Sequence, residues 1–302
     1  MADFFFFFST TLHLFFLLLL FLFSIITSAI TEPPPPPPPP PSSCQNKCGS
    51  LPIKYPFGTG FGCGSPRFYP SVSCSSTGDQ LIFTTHAGSY PITSISYSTS
   101  ILTITPTLMS TCSSMHSSPN FGLDWSSPFQ LGPSLFILLA CQPPTSSLTS
   151  KSGNPICDSS YSHLCTSLHT CPTLLSLGLP MFSPINTCCV YSPANLNAKG
   201  DLDLKALKCA GYSSVLSLGD IPTDPNRWEY GVALKYNEVG LDNYYNIAMM
   251  CEACEKSDGV CGYAPPRNNF VCVCKNGNSS SDCYNLVSNF WSSGSLGVGL
   301  GY

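Results

Sequence analysis

Charged side chains are scarce in this sequence. They make up 9% of its 302 residues, whereas an average soluble domain has roughly 25%. Long amphipathic helices with Glu and Lys faces are therefore not expected, and the polar surface must come mainly from Ser, Thr, Asn and Gly. The net charge is −4, and no stretch has the clustered Lys and Arg of a nucleic-acid-binding face, which argues against a nucleic-acid partner.

Catalytic and nucleotide-binding motifs are also absent. No GxSxG or HExxH occurs, and no Ser, His and Asp set can be assigned. The stretch IKYPFGTGFGCG, residues 53–64, is rich in glycine, but a dinucleotide fingerprint starting at Gly58 or Gly60 lacks its third glycine. The sequence therefore predicts no catalytic residue, no cofactor and no enzymatic activity. It favours a tight turn at this stretch, in which the Tyr55-Pro56 peptide bond can be cis.

The N-terminus has the composition of a targeting segment. Residues 4–8 and 14–26 are almost wholly apolar, and small residues follow up to Ala29, which predicts a signal peptide over residues 1–29 and a secreted, extracellular or cell-wall protein. The alternative is an uncleaved signal anchor, and only then would the protein be associated with a membrane. Residues 30–43 contain nine consecutive prolines and form a proline-rich linker, extended as polyproline II; a ligand for a proline-reading module is the alternative.

Cysteine is missing from the first 43 residues and frequent after them. An even number of cysteines in a secreted chain predicts a disulfide framework, in which each bond contributes roughly 2–4 kcal/mol. Cys251-x2-Cys254 is followed by Cys272-x-Cys274, but a zinc ribbon needs two CxxC pairs, so we predict no metal site. The pairing stays open, and the 18 candidates are Cys44, Cys48, Cys63, Cys74, Cys112, Cys141, Cys157, Cys165, Cys171, Cys188, Cys189, Cys209, Cys251, Cys254, Cys261, Cys272, Cys274 and Cys283.

Short apolar runs predict a mainly β fold with a few short helices, organised as two disulfide-rich, cysteine-rich extracellular modules in tandem. The first module covers residues 44–142, with strands at 81–85 and 135–141 and a hairpin of 90–97 with 101–105. A Ser, Thr, Pro and Gly linker covers residues 143–156. The second module covers residues 157–283, with strands at 187–191 and 230–236 and short helices at 202–209 and 244–254. A flexible tail, 284–302, follows.

One N-glycosylation sequon occurs, Asn278-Ser279-Ser280. It lies in a Gly and Ser loop near the last cysteine, so a secreted protein could carry a glycan at Asn278. No apolar span of about 20 residues follows it, and a transmembrane helix is not predicted there.

Several motifs in order resemble the galacturonan-binding domain of plant wall-associated receptor kinases. They are Cys44-x3-Cys48-Gly49, the residues 53–58 (IKYPFG), Gly62-Cys63-Gly64, and Phe68 with Cys74. The later part of the chain is similar to the C-terminal wall-associated-kinase-associated domain of the same family. Its motifs are Trp228-x-Tyr230-Gly231, Cys251-x2-Cys254, Cys261-Gly262 and Phe270-x-Cys272-x-Cys274. The family would continue into a membrane helix and a kinase, so we interpret this chain as a kinase-less ectodomain.

The resemblance implies non-catalytic binding of pectin, in particular of homogalacturonan. A polymer of sugar carboxylates needs cations and flat apolar surfaces, and the residues of the first module that offer them close together are Lys47, Lys54, Tyr55, Arg67, Phe68 and Tyr69. The alternative role is an apoplastic protein-interaction module, or a decoy that pairs with receptor kinase ectodomains. Trp125 and Trp228 are secondary candidates, for which burial in the core is the simpler expectation.

Overall fold

The structure is a computed structural model. It describes residues 44–124, 126–142, 148–149, 155–158, 162–179, 187–190, 201–237 and 244–284, with Leu18, Gly153 and Ser160 as isolated positions. The predicted signal peptide and proline-rich linker lie outside these residues apart from Leu18, as does the predicted tail apart from Tyr284. Trp125 lies outside them as well.

The described residues are mainly β, as the sequence predicted. In chain order the strands are β1 Lys47–Cys48, β2 Leu51–Pro52, β3 Val72–Cys74, β4 Leu81–Thr85, β5 Gly88–Ser96, β6 Ile101–Ile104, β7 Phe121–Gly122, β8 Phe129–Leu131, β9 Leu135–Leu139, β10 Cys188–Val190, β11 Asp201–Leu202, β12 Gly211–Ser217, β13 Glu229–Tyr230, β14 Val232–Tyr236, β15 Val260–Ala264, β16 Asn269–Cys274 and β17 Gly277–Ser279.

The largest sheet has six antiparallel strands in the order β3-β4-β5-β6-β14-β8. The predicted hairpin is present, with Ser96 opposite Ile101 and Ser100 at φ 54° in the turn between them. Strand β14 then inserts between β6 and β8, with Val232 opposite Ile104. A strand from the second predicted module thus completes the sheet of the first.

The second sheet has the order β10-β9-β12-β13. Its strand β9 is buried along its whole length, because both of its faces are covered. Phe136 and Leu138 join a central cluster with the six-stranded sheet, whereas Ile137 and Leu139 join a cluster with Leu168 of the segment 162–179. This double burial explains a continuous apolar run in place of the usual alternation.

The remaining sheets are small, and the helices are short. Strands β1 and β2 form one pair, β7 and β11 another, and β15-β16-β17 form a three-stranded sheet. Helix α1 covers Ser162–Cys165 and helix α2 covers Tyr244–Lys256, with 3₁₀ turns at Thr166–Thr170, Pro172–Leu177 and Pro225–Arg227. Helix α2 confirms the predicted helix at 244–254.

The predicted helix at 202–209 was wrong. Leu202 ends strand β11, and the following residues form turns. The Asp203 carboxylate accepts a hydrogen bond of 3.1 Å from the Ala206 N–H, and Lys208 has a φ of 54°. The Asp203 bond caps a single turn, and the left-handed conformation of Lys208 ends that turn before a helix can form.

All 18 cysteines are paired, in nine disulfides, which confirms the predicted framework. Two of these bonds cross the predicted linker at 143–156: Cys112–Cys171 and Cys141–Cys209. The two modules are tandem in sequence, but their strands share sheets and their cysteines share disulfides. The linker therefore does not divide the fold, because β12 and β14 pair with strands from before it.

Candidate functional site

The glycine-rich stretch 53–64 pairs with a strand of the second module. The Gly64 N–H donates a hydrogen bond of 2.8 Å to the Cys261 carbonyl, and the Tyr263 N–H donates one of 2.8 Å to the Gly62 carbonyl. Cys63 and Gly262 form the β-bridge between these bonds. The stretch is thus a short edge that pairs with strand β15.

Two positions of the stretch require glycine, because another part of the backbone lies where a side chain would be. A Cβ at Gly64 would lie 2.5 Å from the Phe57 carbonyl carbon, and its φ is 66°; a Cβ at Gly58 would lie 2.3 Å from the Cys63 carbonyl carbon. Gly60, in contrast, has open space around the position of a Cβ. The prediction of a tight turn beside Cys63 is confirmed, and the Tyr55-Pro56 bond is cis.

Helix α2 also holds this stretch. The Glu255 carboxylate accepts a hydrogen bond of 2.7 Å from the Tyr55 N–H. Burial raises the pKa of the Glu255 carboxyl, while this hydrogen bond and the charge of Lys54 act in the opposite direction. On the other side, the Tyr97 hydroxyl accepts a hydrogen bond of 2.9 Å from the Lys54 N–H. Burial raises the pKa of Tyr97 to about 12, so the hydroxyl stays neutral.

The predicted aromatic contacts need one correction. Phe68 is 3% exposed and packs with Phe57, Phe129 and Tyr236, so its ring is not available to a sugar. Tyr55 and Tyr69 are partly exposed. Trp228 is buried, in agreement with its expected packing role.

The cations of the first module lie at different places. Lys47, in β1, and Lys54 are both exposed, and Arg67 is partly exposed. Lys47 lines a groove of about 400 Å³, but Lys54 and Arg67 are not among its lining residues. Of the three cations, Lys47 alone lines this groove.

The groove has walls from both modules. One wall is formed by residues 44–47, and the other contains Asp258, Val260, Val273 and Lys275. Lys275 and Asp258 were missed by sequence reasoning. Both lie about 200 positions or more from Lys47, and no local pattern places them beside it; their only sequence signal is that each adjoins a cysteine-rich motif of the second module.

Three cysteines near the end of the second module lie close together. The Sγ atoms of Cys272, Cys274 and Cys283 lie within 4.8 Å of one another, which is a spacing that a metal ion could use. Each belongs to a disulfide, Cys254–Cys272 or Cys274–Cys283. A metal needs thiolates, so these sulfurs act as cross-links in this structure.

A separate polar cluster joins three parts of the chain. His86, in the turn between β4 and β5, contacts Asp124 through Nδ1 and Asp201 through Nε2, the latter at 2.6 Å. The hydrogen bonds to Asp124 and Asp201 raise the pKa of His86. At 39% side-chain exposure, the imidazole is reachable by solvent, and its two nitrogens bridge the two carboxylates.

Two family models match the two parts of the chain that line the groove. Residues 44–106 match the family model "Wall-associated receptor kinase galacturonan-binding", and residues 214–277 match "Wall-associated receptor kinase C-terminal". These two stretches are similar to two domains of the wall-associated receptor kinases. Neither is a catalytic domain. No curated protein and no solved structure matches the chain.

The galacturonan-binding domain and the C-terminal domain supply one wall of the groove each. The nine disulfides, together with the matches to these domains, indicate an extracellular location. Among the residues that the structure describes, no helix has the length and apolar character needed to cross a membrane.

Proposed function

We propose that the protein is a secreted, non-catalytic binder of the pectic polymer homogalacturonan. The observation that carries this proposal is the match of residues 44–106 to the galacturonan-binding domain. The exposed Lys47 and Lys54 of that domain offer ammonium groups to sugar carboxylates, and the partly exposed Tyr55, Arg67 and Tyr69 remain proposed contacts.

Because the domain has few cations, we expect a single protein molecule to bind the polymer weakly. An exposed ion pair contributes roughly 0.2–1 kcal/mol and is screened by salt. A long polymer with a carboxylate on each sugar compensates for this, because one molecule can engage several protein copies, or one protein repeatedly. We therefore expect binding to polymeric pectin to be stronger than binding to short fragments.

The test is retention of the secreted protein, with its disulfides intact, on immobilised polygalacturonate across a salt series. Retention should fall as salt rises, and fully methyl-esterified pectin, which lacks the charges, should retain much less protein. The double variant Lys47→Gln with Lys54→Gln should elute at lower salt, whereas Lys205→Gln, an exposed lysine away from the groove, should elute like the wild type. Salt-independent retention, or none, would contradict the proposal. Capture of a receptor kinase ectodomain without pectin would favour the interaction-module alternative.

A further inference from the structure

The groove is lined by both domains and combines apolar with polar side chains. Val260 and Val273, which are register partners across β15 and β16, contribute apolar surface. Gln45, Asn46 and Lys47 of the first domain and Asp258 and Lys275 of the C-terminal domain contribute polar and charged groups. A galacturonate ring has an apolar C–H face, a hydroxyl edge and one carboxylate, and the lining contains side chains of a kind that suits each of them. The volume of about 400 Å³ lies in the roughly 300–1,000 Å³ range of small-molecule sites.

Both walls are held in place by covalent cross-links. Cys44 is bonded to Cys63, which pairs with strand β15 of the other wall. Lys275 lies in the two-residue turn between β16 and β17, since Cys274 is opposite Gly277, and Cys274 is bonded to Cys283. A site on a fixed scaffold loses little conformational entropy when it binds its ligand.

We infer that this groove is a galacturonate-binding site shared by both domains, with Lys275 of the C-terminal domain as a direct carboxylate contact in addition to Lys47. This inference rests on the proposed function and deepens it: the C-terminal domain is part of the ligand site. Asp258 is the one acidic group that lines the groove among the described residues, and its charge opposes the ligand. The two side chains on the same wall therefore act with opposite signs.

The experiment measures the affinity of the full secreted protein for a size-defined oligogalacturonide by calorimetry at low salt. The short probe removes the polymer's multivalency. Lys275→Gln should weaken binding by about 2- to 5-fold, and Lys275→Glu should weaken it further. Asp258→Asn should strengthen binding by about 2-fold. Lys205→Gln removes the same charge outside the groove and should leave the affinity unchanged. High salt should reduce all of these differences.

The outcomes separate the inference from the proposed function. All altered side chains are exposed, so each variant should keep the melting temperature of the wild type, which is measured alongside. If the wild type binds and Lys47→Gln weakens binding, but Lys275→Gln and Asp258→Asn bind like the wild type, the shared site is wrong and the proposed function stands. If the wild type does not bind the oligomer or polygalacturonate at all, both are wrong.

Discussion

The Tyr55 N–H donates a hydrogen bond of 2.7 Å to the carboxylate of Glu255, a residue 200 positions later in the chain. Tyr55 lies in the galacturonan-binding domain and Glu255 in helix α2 of the C-terminal domain. The bond stands beside the backbone pairing of Gly62 with Tyr263 and of Gly64 with Cys261. The two domains are therefore joined at the motif that identifies the first of them.

Removing the Glu255 acceptor should destabilise the protein. Glu255→Ala takes away the partner of a half-buried N–H, which costs about 1–3 kcal/mol, and the melting temperature should fall. Glu255→Gln keeps an amide oxygen at the same place and should recover most of the loss. Glu252→Ala, an exposed residue of the same helix, should change little. Equal melting temperatures for Glu255→Ala and Glu252→Ala would show that the bond does not contribute to stability.

Gly64 should not tolerate a side chain. Gly64→Ala places a Cβ 2.5 Å from the Phe57 carbonyl carbon at a φ of 66°, so we expect a loss of about 2 kcal/mol or more and poor secretion. Gly60→Ala, four residues earlier in the same stretch, meets open space and should be secreted and melt like the wild type. Similar yields and melting temperatures for both variants would contradict the close backbone approach.

The cluster of His86, Asp124 and Asp201 should make stability depend on pH. Because the folded protein favours the protonated imidazole, the pKa of His86 is raised on folding. Its contribution is fully present below the unfolded value of about 6.5 and is lost as the pH rises through the higher folded pKa. The difference in melting temperature between the wild type and His86→Gln should thus be largest near about pH 5.5 and shrink towards about pH 9.

The control for this pH series is His163→Gln. His163 is exposed in helix α1, and it makes no ion pair with another described residue. Its difference from the wild type, measured across the same pH range, is the reference for losing an exposed histidine. A His86→Gln difference that is flat, or that grows with pH, would contradict the bridging role of the imidazole.

The disulfide pairing can be checked by peptide mapping. The native protein should show no free thiol, because all 18 cysteines are paired. Digestion without reduction should yield cross-linked peptides that join Cys112 to Cys171 and Cys141 to Cys209. These two bonds connect strands and loops on both sides of residues 143–156. Peptides linking cysteines only within 44–142 and only within 157–283 would instead show two separately cross-linked domains.

The predicted glycan at Asn278 can be tested on the same secreted material. Asn278 is exposed in β17, and its loss in Asn278→Gln should lower the intact mass by one N-linked glycan. Asn276→Gln, two residues earlier and outside any sequon, should keep the glycan. Because Asn278 is opposite Val273, which lines the groove, affinities should be measured with and without the glycan. An unchanged mass in Asn278→Gln would contradict glycosylation.

Local sequence patterns predicted the strands well where the order of apolar residues along a strand matches the burial of its side chains. The segment 81–85 alternates buried and less buried residues and forms β4 as expected, and the run at 135–139 is apolar because both faces of β9 are covered. The segment 202–209 was mispredicted as a helix because the left-handed conformation of Lys208 ends it after a single turn, whatever its apolar spacing. Phe68 was predicted to contact the sugar, but it packs closely against Phe57 and Tyr236 and lies in the core.

The sequence by itself predicted the extracellular compartment, the disulfide-rich β class and the resemblance to the two domains. Composition, cysteine count and short motifs can be read along the chain without knowing which distant residues meet. Only the tertiary structure decided which cysteines pair, that β14 completes the sheet of β6, and that Lys275 lines the same groove as Lys47. The strand pair and the lysine pair join residues more than 100 positions apart, and the disulfides Cys112–Cys171 and Cys141–Cys209 cross a predicted boundary. They depend on how all strands pack at once, and no local preference encodes that packing.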